Sequence, residues 1–448
     1  MKPLIELTDD LAEGRTTSRQ LVEECLEAIE NPDGEGARTI LKVHTERSRV
    51  EADAHDQQRA KGIVRSPIDG LPISLKDLFD ETGEVTMAAT RLLADSEPAQ
   101  EDCTVVKRLR RAGAIIIGRS TLTPFAYSGL GINNDYGTPK NPWDRETARI
   151  PGGSSSGAAV SITDGMAAAG IGSDTGGSVR IPAALCGVVG FKTTWGRIPL
   201  EGIYPLAANL DSVGPLGNTV SCCALLETVM TGSEPRVQPP FAARTLSFAV
   251  PQTLVLDDLD DQVAQGFERA LSGLSKAGAH IEEVEFLDLA KIPSTILTGG
   301  MLAVEAYAFH REQLEKHGEQ YDPRIRSRLE AAKDISAPDY LAATKRRVEI
   351  IEHANVITAP YDGVLMPTTP IVAPPIAELD ADEKLYGKTN LLMLRNTSMG
   401  NFLTRCAFSI PCHQPGAAPV GLMVMGETCG DDRLVSVALA VEEALRAK

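Results

Sequence analysis

Histidine and cysteine are scarce in this chain, and neither is grouped for a metal. The seven histidines form no H-E-x-x-H or H-x-x-x-H pattern, and the eight cysteines contain no C-x-x-C pair. No metal centre and no disulfide framework are expected, and reduced, mostly buried thiols fit a reducing compartment. Aromatics make up only 4% of the 448 residues, so small side chains must fill much of the core. Cations are outnumbered, 44 Lys and Arg against 61 Asp and Glu, for a net charge of −17. So acidic a surface repels phosphate backbones and anionic headgroups, which excludes direct nucleic-acid binding and a membrane-surface role. No run of eighteen apolar residues occurs, so no transmembrane helix is expected. The start, MKPLIELTDD, turns acidic too soon for a secretory leader, and the expected compartment is the cytoplasm.

What remains is a globular composition, 43% hydrophobic and 23% charged. Residues 1–62 read as an N-terminal helical region, with a T-x-x-Q capping box at Thr17 and a polar-faced helix over about 38–62. From 63 to 245 strands alternate with helices: Leu71–Lys76 and Ala114–Gly118 read as strands, Val105–Ala112 as a helix. This alternation predicts an α/β fold. Residues 246–360 read as a variable helical cap, with amphipathic helices at Gln262–Lys276 and Thr344–Val356. Residues 361–448 return to the core pattern, with buried strands at Asp362–Pro370 and Gly421–Met425 and a closing helix. The whole reads as one structural domain.

The informative stretch is Pro151–Arg180, which holds eight glycines and six serines. A flexible linker is a poor reading, because an apolar helix and a short strand follow directly. Asp174-Thr175-Gly176-Gly177-Ser178 then makes a tight turn before a short helix, with Pro182 in its first turn and Gly187 after its end. A serine placed there sits where backbone N–H groups converge, an arrangement that stabilises an oxyanion in acyl transfer. No G-K-[ST] follows, so a nucleotide loop is excluded. A serine nucleophile needs a base. The nearest histidines in sequence are His55 and His280, which leaves contact in space open. Lys76 is the other candidate: it ends a strand on the same face as Ser74, where desolvation favours the neutral amine. Asp174 and Arg180 flank the turn and are expected to brace it by charge-assisted bonds.

The run from Gly152 to Gly196, GGSSSGAAVSITDGMAAAGIGSDTGGSVRIPAALCGVVGFKTTWG, strongly resembles the amidase signature family. GLPISLKDLFD (70–80), LDSVGPLGNTV (210–220) and APVGLMVMG (418–426) extend the resemblance over most of the chain, with the weakest match in about 245–360. The resemblance implies a central mixed β-sheet covered by helices on both faces. It implies a Ser–cis-Ser–Lys triad of Ser178, Ser154 and Lys76, with an oxyanion hole from the N–H groups of Thr175, Gly176, Gly177 and Ser178. It places Ala126 and Tyr127 beside the substrate and Ser155 behind the triad, and leaves Tyr307, Met393 and Asn396 unassigned in variable regions. It implies no cofactor, a small amide substrate and a homodimer. Three departures point to a specialised pocket: Cys222 where the family often has Asp, Asn401–Cys406 in place of N-L-x-G-x-P, and Met423 in place of Gln.

The leading expectation is an amidase that hydrolyses the C–N bond of a carboxamide, anilide or carbamate. The alternative is the glutaminase-type component of a tRNA-dependent amidotransferase, its A chain, and the acidic charge and altered C-terminal pattern favour the first. A non-catalytic binding protein fits poorly with an intact Lys76, Ser154 and Ser178.

Overall fold

The computed structural model describes residues 1–297 and 300–446. Among them eleven strands form one mixed sheet: β1 (Ile40–Val43), β2 (Pro72–Lys76), β3 (Ile115–Ser120), β4 (Ala169–Asp174), β5 (Val189–Lys192), β6 (Ser212–Gly217), β7 (Ser247–Pro251), β8 (His280–Val284), β9 (Gly363–Pro367), β10 (Ala407–Pro411) and β11 (Gly421–Met425). Their order is β1-β3-β2-β4-β6-β5-β10-β11-β9-β7-β8. The pairs β2–β3, β2–β4, β7–β8 and β7–β9 are parallel, and the other neighbours are antiparallel. The α/β fold and the central mixed sheet are as the sequence predicts.

The inner strands β2, β3 and β4 are buried along their whole length, which explains why they read as continuous apolar or small-residue runs. Parallel neighbours require crossover helices, so both faces are covered and little aromatic bulk is needed. Two segments depart from the sequence reading. Residues 40–43, assigned to a helix, form edge strand β1 against β3, and the helix starts only at Thr45. The stretch 246–360, read as helical, holds β7 and β8 at the far end of the sheet. β8 is an edge strand with mostly polar, exposed residues (HIEEV), and four residues of β1 are too few to show a period.

The helix Ser156–Thr163 lies directly behind the first serines of the Gly/Ser stretch. Gly157 lets its first turn reach the end of β3: a Cβ there would sit 2.6 Å from the Thr121 amide and 2.7 Å from the Thr39 carbonyl oxygen. The cap is built from Ile292–Leu297, Met301–His317, Pro323–Glu330 and Ala337–Thr358. Within the run Leu287–Gln320 one eighteen-residue window reaches a mean hydropathy of 1.2, enough by length and composition alone to cross a bilayer. It is interrupted at Gly300 (φ +67°), and its Met301, Ala306, His310 and Leu314 are buried inside the fold. Gly157→Ala is expected to destabilise the protein by about 1–3 kcal/mol or more, through backbone overlap that no rotamer relieves. An unchanged midpoint in urea denaturation would contradict that close approach.

Candidate active site

β2 ends in Lys76, which is fully buried. Its Nζ lies 2.8 Å from Ser154 Oγ and 2.9 Å from Ser173 Oγ. Two hydroxyls cannot solvate an ammonium as water does, so burial pulls the Lys76 pKa down to about 7 against the opposing pull of Asp174 and Asp211. Ser154 is held by a cis peptide bond to Gly153, and its carbonyl accepts from the N–H of Thr123 and of Ser156. The next amide, of Ser155, donates to the carbonyl of Ser178, so the segments bearing the two serines are tied by the main chain. Ser155 Oγ donates at 3.3 Å to the carbonyl of Ser173, behind Lys76.

The turn 174–178 hangs on Asp174. Its carboxylate accepts from the amides of Gly177 and Val179 and from Nε and Nη2 of Arg180. Both side chains are fully buried. Burial alone would raise the Asp174 pKa, but Arg180, Lys192 and Asn401 outweigh it and hold the carboxyl well below its usual range. Arg180 also donates to Asn401 Oδ1 at 2.7 Å and lies 3.1 Å from Met423 Sδ. Asn401 donates to the carbonyl of Asp174 at 2.8 Å, and Thr397 Oγ1 donates to the carbonyl of Gly176 at 2.7 Å. Two of the three departures therefore sit on the brace of this turn. Below it, Thr175 Oγ1 donates to Asp211, which burial pushes up to about 6 despite that bond and the amides of Leu206 and Ala207.

The four amides named by the resemblance are not equivalent. The Gly177 N–H is already donated to Asp174 Oδ1 at 2.8 Å, whereas those of Thr175, Gly176 and Ser178 take no partner among the described residues. Gly177 adopts φ +135°, and a Cβ on it would overlap Thr397 Oγ1 at 2.1 Å.

Ser178, only 4% exposed, opens onto a cavity of about 680 Å³. Ala126 and Tyr127 line that cavity, together with Thr175 and Gly176 from the turn. A smaller chamber of about 220 Å³ adjoins it through Ala126, Thr175 and Leu206, and is also lined by Ser173 and Asp211. The unassigned residues also find their places. Tyr307 packs on the main core beneath Lys333, and Met393 is buried with Ile181 and Leu185. Asn396 donates to the carbonyls of Val255 and Pro367. Cys222 is buried behind β6 and takes no part in the site. Ser173, Asn401, Thr397 and Asp211 are the site residues that sequence reasoning missed. Of these, Ser173 and Asp211 lie inside quoted motif runs and carried a usable signal. No group of three or more potential metal ligands occurs among the described residues.

The mixed sheet and the serine-rich turn define an amide-hydrolase class. A family model described as Amidase matches residues 20–435, and the chain belongs to that family, the amidase signature enzymes. A 2-amino-5-chloromuconic acid deaminase of Comamonas testosteroni is 34% identical over 88% of this chain and 86% of its own. The A component of a glutamyl-tRNA(Gln) amidotransferase from Chloroflexus aggregans is 30% identical over 95% of this chain and 93% of its own. A crystal structure of an amidase superposes with a TM-score of 0.88 at 30% identity, covering 99% of both chains. The protein is accordingly a hydrolase of carbon–nitrogen bonds other than peptide bonds.

Removing the Asp174 charge strands Arg180 in a dry site, so Asp174→Ala is expected to cost about 3–5 kcal/mol in urea denaturation. The double variant with Arg180→Met should cost less than the two single losses summed, and simple additivity would contradict the pairing. Gly177→Ala, by contrast, should lose most activity while moving the denaturation midpoint less than Asp174→Ala does.

Proposed function

We propose that the chain is an amidase that hydrolyses a small carboxamide, anilide or carbamate through an acyl-enzyme on Ser178. The observation that carries this reading is the 2.8 Å contact between Lys76 Nζ and Ser154 Oγ in a fully buried site beside the cavity onto which Ser178 opens. Neutral Lys76 takes a proton from Ser154 as Ser154 takes one from Ser178. Ser178 Oγ then bonds to the carbonyl carbon, and the oxyanion is met by the free amides of Thr175, Gly176 and Ser178. Ser154 passes a proton to the leaving nitrogen, recovering its own from Lys76, and the C–N bond breaks to release ammonia or an amine. Water, deprotonated along the same route, attacks the ester and frees the carboxylic acid and Ser178. Arg180 and Asp174 hold the turn and move no proton. Similarity to the glutamyl-tRNA(Gln) amidotransferase component supports a second reading, in which glutamine is the substrate and partner subunits receive the ammonia.

Ser178→Ala should lower kcat by on the order of 10⁶-fold, toward the rate left when a serine nucleophile is removed. A panel of amides, anilides, carbamates and glutamine checks this with the variant as blank, and turnover near the wild-type rate in Ser178→Ala would refute the assignment. Glutamine turnover only with added partner subunits would select the second reading. Because Lys76 must be neutral and its pKa is lowered to about 7, log kcat/KM should climb below that pH and level off above it. A flat profile from pH 5 to 9, with chemistry limiting, would remove Lys76 from the relay.

A further inference from the structure

The helix Glu383–Leu394 turns a single buried amide toward the cavity onto which Ser178 opens. Asn390 is 4% exposed, and its Oδ1 accepts from Ser128 Oγ at 2.9 Å and from the Gly129 N–H at 2.9 Å. A backbone N–H can only donate, so the atom facing Gly129 must be the oxygen. Ser128 points the same way. Its hydroxyl already accepts from the Tyr386 hydroxyl at 3.0 Å and from the Leu130 N–H at 3.2 Å, so its one proton goes to Asn390. The orientation of the amide is therefore fixed by three donors in series.

That orientation leaves Asn390 Nδ2 on the far side of the amide, and it meets no acceptor among the described residues. A donor built into a nearly buried wall costs free energy unless an acceptor is supplied to it. The wall around it is apolar: Leu391 and Leu394 of the same helix, and Ala126 and Tyr127 across from it, line the same cavity. A neutral donor in such a setting suits a neutral carbonyl oxygen. The distance to the chemistry is short. A Cβ on Gly176 would lie 3.4 Å from Leu394 Cδ2, and Asn390 stands four residues before Leu394, about 6 Å along the helix axis.

We infer that Asn390 is a specificity-determining residue, whose Nδ2 donates to a neutral carbonyl on the acyl portion of the substrate a few bonds from the scissile amide. This deepens the amidase reading and rests on it. Ser128 and Tyr386 touch no substrate in this assignment; they hold the amide so that only its donor end faces inward.

The test uses the primary amides of malonic, succinic and glutaric acid whose other end is a dimethylcarbamoyl group, a strong acceptor without a donor. Each is compared with the same primary amide ending in isobutyl, of similar size and without an acceptor, by ammonia release. In the wild type, one chain length of the first series is expected to exceed its isobutyl partner at least about tenfold in kcat/KM, the worth of one neutral hydrogen bond. Asn390→Asp keeps an oxygen toward Gly129 and Ser128 and replaces only the donor, so it should bring that ratio close to one, chiefly through KM. A merely structural role would lower both series alike and leave the ratio standing. Should Asn390→Asp not fold, Asn390→Ala takes its place with the same expectation. A wild-type ratio near one at all three lengths, or a ratio unchanged in the variant, overturns the proposal. If neither series is cleaved while a fluorophosphonate still labels Ser178, the acyl assignment falls and amide hydrolysis stands. Absence of that labelling overturns the hydrolase reading itself.

Discussion

Burying an amine that would rather be an ammonium is the constraint on which the rest of the site depends. Lys76 ends an interior strand of the sheet, flanked by β3 and β4, with two hydroxyls as its near neighbours. Water would stabilise the charged form; this pocket does not, so the neutral amine is populated near pH 7. The carboxylates that act on it electrostatically, Asp174 and Asp211, would undo that if their charge were free. Asp174 is neutralised by Arg180 and its amide donors, and Asp211 is pushed by burial toward its protonated form. The electrostatics around the lysine and the bracing of the 174–178 turn are therefore one arrangement.

The turn is built by competition for backbone groups. Asp174 takes the Gly177 amide and Thr397 takes the Gly176 carbonyl, so the chain can only present the remaining amides outward. The left-handed, sterically closed setting of Gly177 is the backbone cost of that presentation. The cavity follows from the same elements, since the turn, the helices over 292–330 and the segment 388–401 that carries Asn401 all line it.

The sheet and the lysine, serine and turn positions were legible because they lie in contiguous runs. Pro72–Lys76 and Ala169–Asp174 are interior strands whose small and apolar residues admit few other readings. The Asp174–Arg180 pair was expected from its place at the turn, but its completion was not legible, because it is assembled across the chain: Asn401 and Arg180 are 221 positions apart. In the sequence Asn401 only heads a departing motif, yet in the fold it completes the Asp174–Arg180 pair. β8 escaped notice for the opposite reason: an exposed edge strand shows no buried face to read.

The reliance of the 174–178 turn on Thr397 and Asn401 has a consequence for biosynthesis. A nascent chain emerging from the ribosome completes the lysine strand and both serines before half its length is made, but not the groups that hold the turn in shape. On the mechanism proposed above, the site is therefore finished only once the C-terminal part of the polypeptide has folded back onto the sheet.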